Sequence, residues 1–303
     1  MQTPGWIARA TFAAALFGFA AIAQDTAKPR LEVTSPLGTK FYSLPDEKGV
    51  VAAALKASSA DPKNADLLLK LAQAQASVWQ DREAVDTCTR AIAIAPNNAQ
   101  LYIERGHREL PLREFTKARD DLNHAVSLDA KQVEAYYHLG LSHYFLQEFD
   151  ESADAFRHAV DLAPNTDSRI NSTNWLYASL RRANRPEDAA KAAAAITPDM
   201  TNKEPHTFFY LSLVRLFQGR MKESDALPPE PPRDGSDTEA ELRFDTVAYG
   251  IGNWHLYNHE AAKAQEYFRR VTQGKVWITW GFVGAELEVL RARGKAVAQN
   301  RLH

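Results

Sequence analysis

A spacing of 34 residues constrains this chain more than any other feature. Ala57, Ala91, Ala125 and Ala159 recur at that interval. Pro62, Pro96 and Pro164 keep the same beat five residues later, and Ala130 fills the slot between Pro96 and Pro164. A fixed repeat of this length, with a small residue shortly before a helix-stopping proline, calls for a helix–turn–helix unit. The small residue lets neighbouring helices approach, and the proline ends the second helix of each unit. One such unit cannot bury its apolar face alone, so the units must stack into a solenoid. The expected fold class is all-α.

Composition sets the outer limits. The chain has 303 residues, 45% hydrophobic and 24% charged, which is ordinary for one or two globular domains. With 36 basic and 38 acidic side chains it offers no basic face for nucleic acid. The first 23 residues differ from the rest. Arg9 is their only ionisable side chain, Ala10 to Ile22 is apolar, and Ala21-Ile22-Ala23 is a small-x-small cleavage site. This pattern predicts a signal peptide over 1–23, removed to leave Gln24 first, and a periplasmic or secreted mature chain. The apolar run falls short of the ~20 residues of a membrane span. No cysteine follows it to carry a lipid, so no stable membrane insertion is expected after cleavage. Cys88 is the sole cysteine and reads as a buried structural thiol with no disulfide.

Residues 24–45 carry Pro29, Pro36 and Pro45 without helical periodicity and read as an extended N-terminal arm. Asp46 is placed to cap a helix over about 47–59, a half-repeat that closes one end of the array. Three repeats follow at about 65–98, 99–132 and 133–166. Pro111 should end the first helix of the second repeat near Leu110. A fourth repeat fits after a shift of three residues, which puts Pro186 at the first position of its second helix, where proline is favoured. The array then spans 46–200. The remaining segment, 201–303, holds an apolar helix over Thr207–Arg220, a proline-rich loop over 227–237, a degenerate fifth repeat at about 245–278 and a capping helix at about 279–293.

The period and its small-residue slots resemble the tetratricopeptide repeat (TPR) over about 46–293. The fold this implies is a TPR helix–turn–helix solenoid with capping helices. The segments TSPLGTKFYSLPDEKG (34–49), STNWLYASLRR (172–182), GIGNWHLYN (250–258) and WGFVGAELE (280–288) look like exported bacterial TPR proteins. The C-terminal half also resembles the NlpI-type envelope adaptors, which tether envelope enzymes as homodimers; this chain lacks the lipid-bearing cysteine of that type. The resemblance implies an exported scaffold that binds a protein or peptide partner, with a homodimer as a further expectation.

It also implies which positions build the inner, concave face. On this sequence they give a groove of Leu69, Gln73, Ile103, His107, Tyr137, His138, Leu141, Tyr144 and Phe145. The positions that grip a C-terminal carboxylate in TPR co-chaperones read Leu69, Gln73, Glu104, Glu134 and His138, so that clamp is absent. What remains is an aromatic groove suited to an extended or helical segment. Its stripe of Tyr137, Leu141 and Tyr144 either meets a partner or packs against this chain itself or a second copy. The arm over 34–45, with Phe41, Tyr42 and Leu44, is one candidate occupant.

Signals of chemistry are weak. His138 and His143 lie five apart on a helix and cannot share a metal by themselves. Gly250-x-Gly252 lacks the third glycine of a dinucleotide loop, and Gly38-Thr39-Lys40 lacks the earlier glycine of a phosphate loop. No catalytic residue, metal or cofactor is assigned, and an enzyme is not expected. The alternative kept open is a small-molecule-binding or enzymatic envelope protein with a closed helical pocket.

Overall fold

The computed structural model describes residues 28–203 and 208–300. The signal-peptide reading of 1–23 and the cleavage at Gln24 lie outside the described residues. A hairpin of β1 (Leu31–Thr34) and β2 (Lys40–Tyr42) comes first. The helices follow in order: α1 (Val50–Ala60), α2 (Ala65–Ser77), α3 (Asp81–Ile94), α4 (Ala99–Glu109), α5 (Phe115–Leu128), α6 (Val133–Leu146), α7 (Phe149–Asp161), α8 (Thr166–Arg182), α9 (Pro186–Ala194), α10 (Phe208–Phe217), the single turn α11 (Glu223–Ala226), α12 (Thr238–Tyr257), α13 (Ala261–Val271) and α14 (Trp280–Asn300). No described helix is long and apolar enough to cross a membrane.

The period appears in the backbone as repeated chemistry. Asn64, Asn98 and Asn165 cap the first helix of three units, each side-chain oxygen accepting from backbone N–H groups of the opening turn. Within a unit the two helices join at a residue in the left-handed conformation: Trp79, Arg113, Gln147, Asn184 and His259. The first three are 34 residues apart and the next interval is 37, because α8 runs to 17 residues where α6 has 14. Pro186 opens α9 as its first residue.

Close approach explains the small residues. A Cβ added at Gly106 would lie 2.8 Å from the Leu122 side chain, and one at Gly140 would lie 2.7 Å from the Phe156 ring. Between units, Ala91 is buried with Leu68 and Leu101, and Ala125 with Ile103 and Ala135. Any larger residue there must push a neighbouring helix away. Cys88 is buried in the first unit with Ala72 and Ala84, and burial pushes its thiol up to about 12.

Two segments differ from the sequence expectation. The arm is extended but structured. Val33 faces Phe41 across the hairpin, and both turn inward. Phe41 stacks on Trp277 at 5.8 Å and meets Phe282 edge-on at 5.3 Å. Leu44 N donates to Val78 O, and Arg30 pairs with Glu83. Phe41 is therefore buried on Trp277 and Phe282, at the start of the last helix, while Leu31, Tyr42 and Leu44 stay exposed, so the arm does not lie along the groove stripe. The fifth unit also starts earlier than the repeat phase suggested. Asp237 caps α12, and the buried Glu241 accepts from the N–H groups of Lys275 and Val276, so the helix extends a further two turns toward its N-terminus.

Candidate functional site

The first helices of the units, α2, α4, α6 and α8, form the inner face. The last helix of the chain lies against part of it. Helix α14 crosses α12 at van der Waals range because Gly281 sits against the Asp245 backbone and Gly284 against the Tyr249 ring; a Cβ at Gly281 would be 2.5 Å from Asp245 O. From there its side chains reach the repeats. Glu286 accepts from Arg113 Nε at 3.0 Å, and Arg291 donates to Phe145 O at 2.9 Å. The Trp280 ring lies 5.5 Å from His107 and 5.9 Å from His138.

This divides the nine groove residues expected from sequence. Leu141, Tyr144 and Phe145 are buried in one apolar cluster with Phe282, Val283, Ala285 and Val289 of α14. Tyr144 also meets Trp175 edge-on at 5.2 Å. Ile103 is buried between units with Ala125 and Ala135. His107, Tyr137 and His138 line an open cleft, Leu69 is half-buried on α2, and Gln73 is exposed. A single continuous groove is thus corrected to a filled part and an open part, because α14 occupies the end where the first helices finish.

The open cleft holds about 530 Å³. Its floor is a histidine pair: the rings of His107 and His138 stack at 4.0 Å. Arg108 Nη2 lies 2.6 Å from His107 Nδ1. A guanidinium can only donate, so Nδ1 accepts and the proton of His107 sits on Nε2. Burial, His138 and Arg108 hold His107 well below the usual imidazole range; burial and Arg108 bring His138 down to about 3. The floor is therefore uncharged at neutral pH. The walls are polar: Glu134 on α6, and Asn165, Asp167, Ser168 and Asn171 at the start of α8. Asp167 accepts from Asn202 Nδ2 at 2.9 Å and Lys203 N at 3.1 Å, which ties the segment after α9 to this wall. Asn171 Oδ1 is buried without a hydrogen-bond partner. A buried acceptor left open is costly and suits an incoming N–H.

Reading the sequence by repeat position missed the α8 wall and Trp280. The three-residue shift of the fourth repeat moved α8 out of phase, and Trp280 belongs to no repeat slot. His143 is turned away from His138 and hydrogen-bonds Glu148 at 2.6 Å. Among the described residues no three His, Cys, Asp or Glu side chains are grouped to hold a metal ion.

A tetratricopeptide-repeat family profile matches residues 133–166, the unit of α6 and α7. No curated protein matches the sequence. Among solved structures, the chain is similar to that of the MamA protein, 23% identical over 48% of this chain and 78% of that one, with a TM-score of 0.44. A MamA fragment from Desulfovibrio magneticus RS-1 is 20% identical over 47% and 78%, with a TM-score of 0.43. YrrB, described as a TPR protein with an unusual peptide-binding site, is 16% identical over 80% of this chain and 99% of its own, with a TM-score of 0.44. By its stacked helix–turn–helix units and by the profile match at its third repeat, this chain is an all-α TPR solenoid.

Proposed function

We propose that the chain is a TPR scaffold that takes an extended segment of a protein or peptide partner into the open cleft. One observation carries this reading: α14 covers Leu141, Tyr144 and Phe145, yet about 530 Å³ stays open over His107, Tyr137 and His138. The chemistry suits a peptide backbone. Tyr137 and the neutral imidazoles supply flat apolar surface, and Asn171 Oδ1 and Glu134 supply acceptors for N–H groups. The acidic wall of Glu134 and Asp167 favours a segment with a basic side chain. A small-molecule pocket is the weaker reading. The enclosed cavity between α8, α10 and α12 holds only about 10 Å³, room for about one water.

The cleft is tested with a displayed library of random peptides. Selected binders should lose affinity in Glu134→Arg and in Asn171→Ala, and a photoreactive residue at position 137 should cross-link to them. Binders indifferent to both substitutions and cross-linked elsewhere would move the site off the cleft. We further propose that residues 1–23 direct export, so that the scaffold works in the periplasm or outside the cell, in the manner of an envelope adaptor. Intact mass of the product from an exporting host should begin at Gln24; retention of Met1 would refute export.

A further inference from the structure

A second cavity, of about 460 Å³, opens on the side where the two helices of each unit join. It is separate from the cleft, and its lining is cationic. Gln147, Asn184 and His259, the left-handed turn residues of three units, form its rim. Arg181, Arg182 and Arg291 point into it, with Glu288 among them.

The pairing is unequal. Arg182 Nη1 and Arg291 Nη1 both donate to the same oxygen, Glu288 Oε1, at 2.8 and 2.5 Å. Arg181 is held entirely by neutral groups: Nη2 donates to Tyr257 O and Asn258 Oδ1, Nη1 donates to Tyr177 Oη, and its guanidinium lies 4.5 Å over the Tyr257 ring. Among the described residues Arg181 forms no ion pair. The cavity thus holds three guanidiniums and one carboxylate, and among the described residues two positive charges lack a counter-ion, His259 aside. The Arg182 and Arg291 side chains are only 12% and 21% exposed, so water compensates them poorly. Arginine presents planar forks that fit the oxygens of carboxylate and phosphate. Here the forks are already fixed by stacking and hydrogen bonds, so little side-chain freedom is lost on binding.

We propose that this cavity is an oxyanion site for a small ligand carrying at least two negative charges, as carboxylates or as phosphate. The volume lies within the range of small-molecule sites. Glu288 holds two of the forks apart, and the incoming anion supplies what Arg181 lacks.

The proposal is tested by calorimetric titration of the full chain with citrate and, separately, inorganic pyrophosphate at low salt. At least one should bind with a single site per chain. Arg181→Gln should weaken that binding about tenfold or more, as expected for a lost charge-assisted hydrogen bond. Asn184→Asp places a negative charge on the exposed rim in a turn conformation aspartate tolerates, and should weaken it several-fold without touching any guanidinium contact. Lys117→Gln, exposed and outside this cavity, should leave it unchanged. Binding of citrate alone assigns the site to carboxylates, of pyrophosphate alone to phosphate, and of both to oxyanions at large. No binding of either at millimolar concentration, or binding that Asn184→Asp and Arg181→Gln both leave intact, overturns it. Peptide binding at the cleft is read separately and is indifferent to these variants.

Discussion

The filled and open parts of the inner face are built from the same helices and serve opposite ends. Where α4 and α6 finish, Leu110, Leu141, Tyr144 and Phe145 are buried with α14. Where α6 and α8 begin, Glu134, Tyr137, Ser168 and Asn171 line an open cleft. The difference lies in the side chains each part presents. Large apolar groups at the finishing end must be covered, and the chain covers them itself. At the starting end polar groups surround Tyr137 and the histidine pair, and the cleft there stays open. A concave surface in a repeat array is therefore free for binding only where the chain has not recruited its own later segments.

Breaking the closure should have the largest effect. Trp277 is buried against Phe41, Trp79 and Arg113, and Trp277→Ala should cost about 3–5 kcal/mol in urea unfolding and increase binding of an apolar dye. A loss under about 1 kcal/mol would mean that Trp277, three residues before α14, does not hold the closing segment in place. Glu286→Gln comes next. The Arg113 and Glu286 side chains are 7% and 1% exposed, so removing the carboxylate strands a buried cation at a cost of about 3 kcal/mol; equal melting temperatures of variant and parent would exclude this. Ala125→Leu overpacks the contact between two units, with an expected loss of about 1–3 kcal/mol, and an unchanged melting temperature would sink the assigned register.

Acid titration sharpens the comparison through two groups of opposite sign. His138 falls from the ordinary 6.5 to about 3 in the fold, through burial and Arg108. Below pH 6.5 the unfolded chain takes up its proton and the native chain does not, so stability falls as pH drops from 6.5 toward 3. Asp81, at the start of α3, is raised from 3.8 to about 7, mainly by burial, against the pull of Arg108. The native chain keeps that proton where the unfolded chain has lost it, so stability falls as pH rises from 3.8 through 7. Each contributes a slope of at most about 1.4 kcal/mol per pH unit. Denaturation series from pH 4 to 8 should show His138→Gln flattening the acid limb and Asp81→Asn the alkaline limb; parallel curves for all three proteins would refute both assignments. The open part should lose nothing: Asn171→Ala removes a buried acceptor that has no partner, so stability should hold or rise while peptide binding falls.

The repeat architecture was legible because its cause is periodic. Gly106 against Leu122 and Gly140 against Phe156 are the same contact one period on, and the alanines mark where units touch. Repeat position also named the helices that form the inner face. It could not tell which part stays open, because α14 joins the face from 143 residues after Tyr137 and follows no period. Gly281 and Gly284, three apart on one helix face, were the available trace of that docking, and only the structure identifies what they meet. The oxyanion cavity was illegible for a related reason. Its arginines come from two helices far apart in sequence, and each looks like an ordinary surface charge until Glu288 is seen to be shared.

The stacking of Phe41 on Trp277, with Trp277 Nε1 donating to Tyr42 O across 235 residues, sets a timetable for synthesis. At about 5–20 residues per second, the hairpin leaves the ribosome roughly 10–50 s before its partner exists. Once α9 is made, every repeat from α2 onward is in place, yet Phe41, Leu141, Tyr144 and Phe145 still lack the Phe282, Val283 and Val289 side chains that complete their cluster. In the last part of synthesis the nascent chain is thus a finished array with an unfinished interior, and only its final helix closes it.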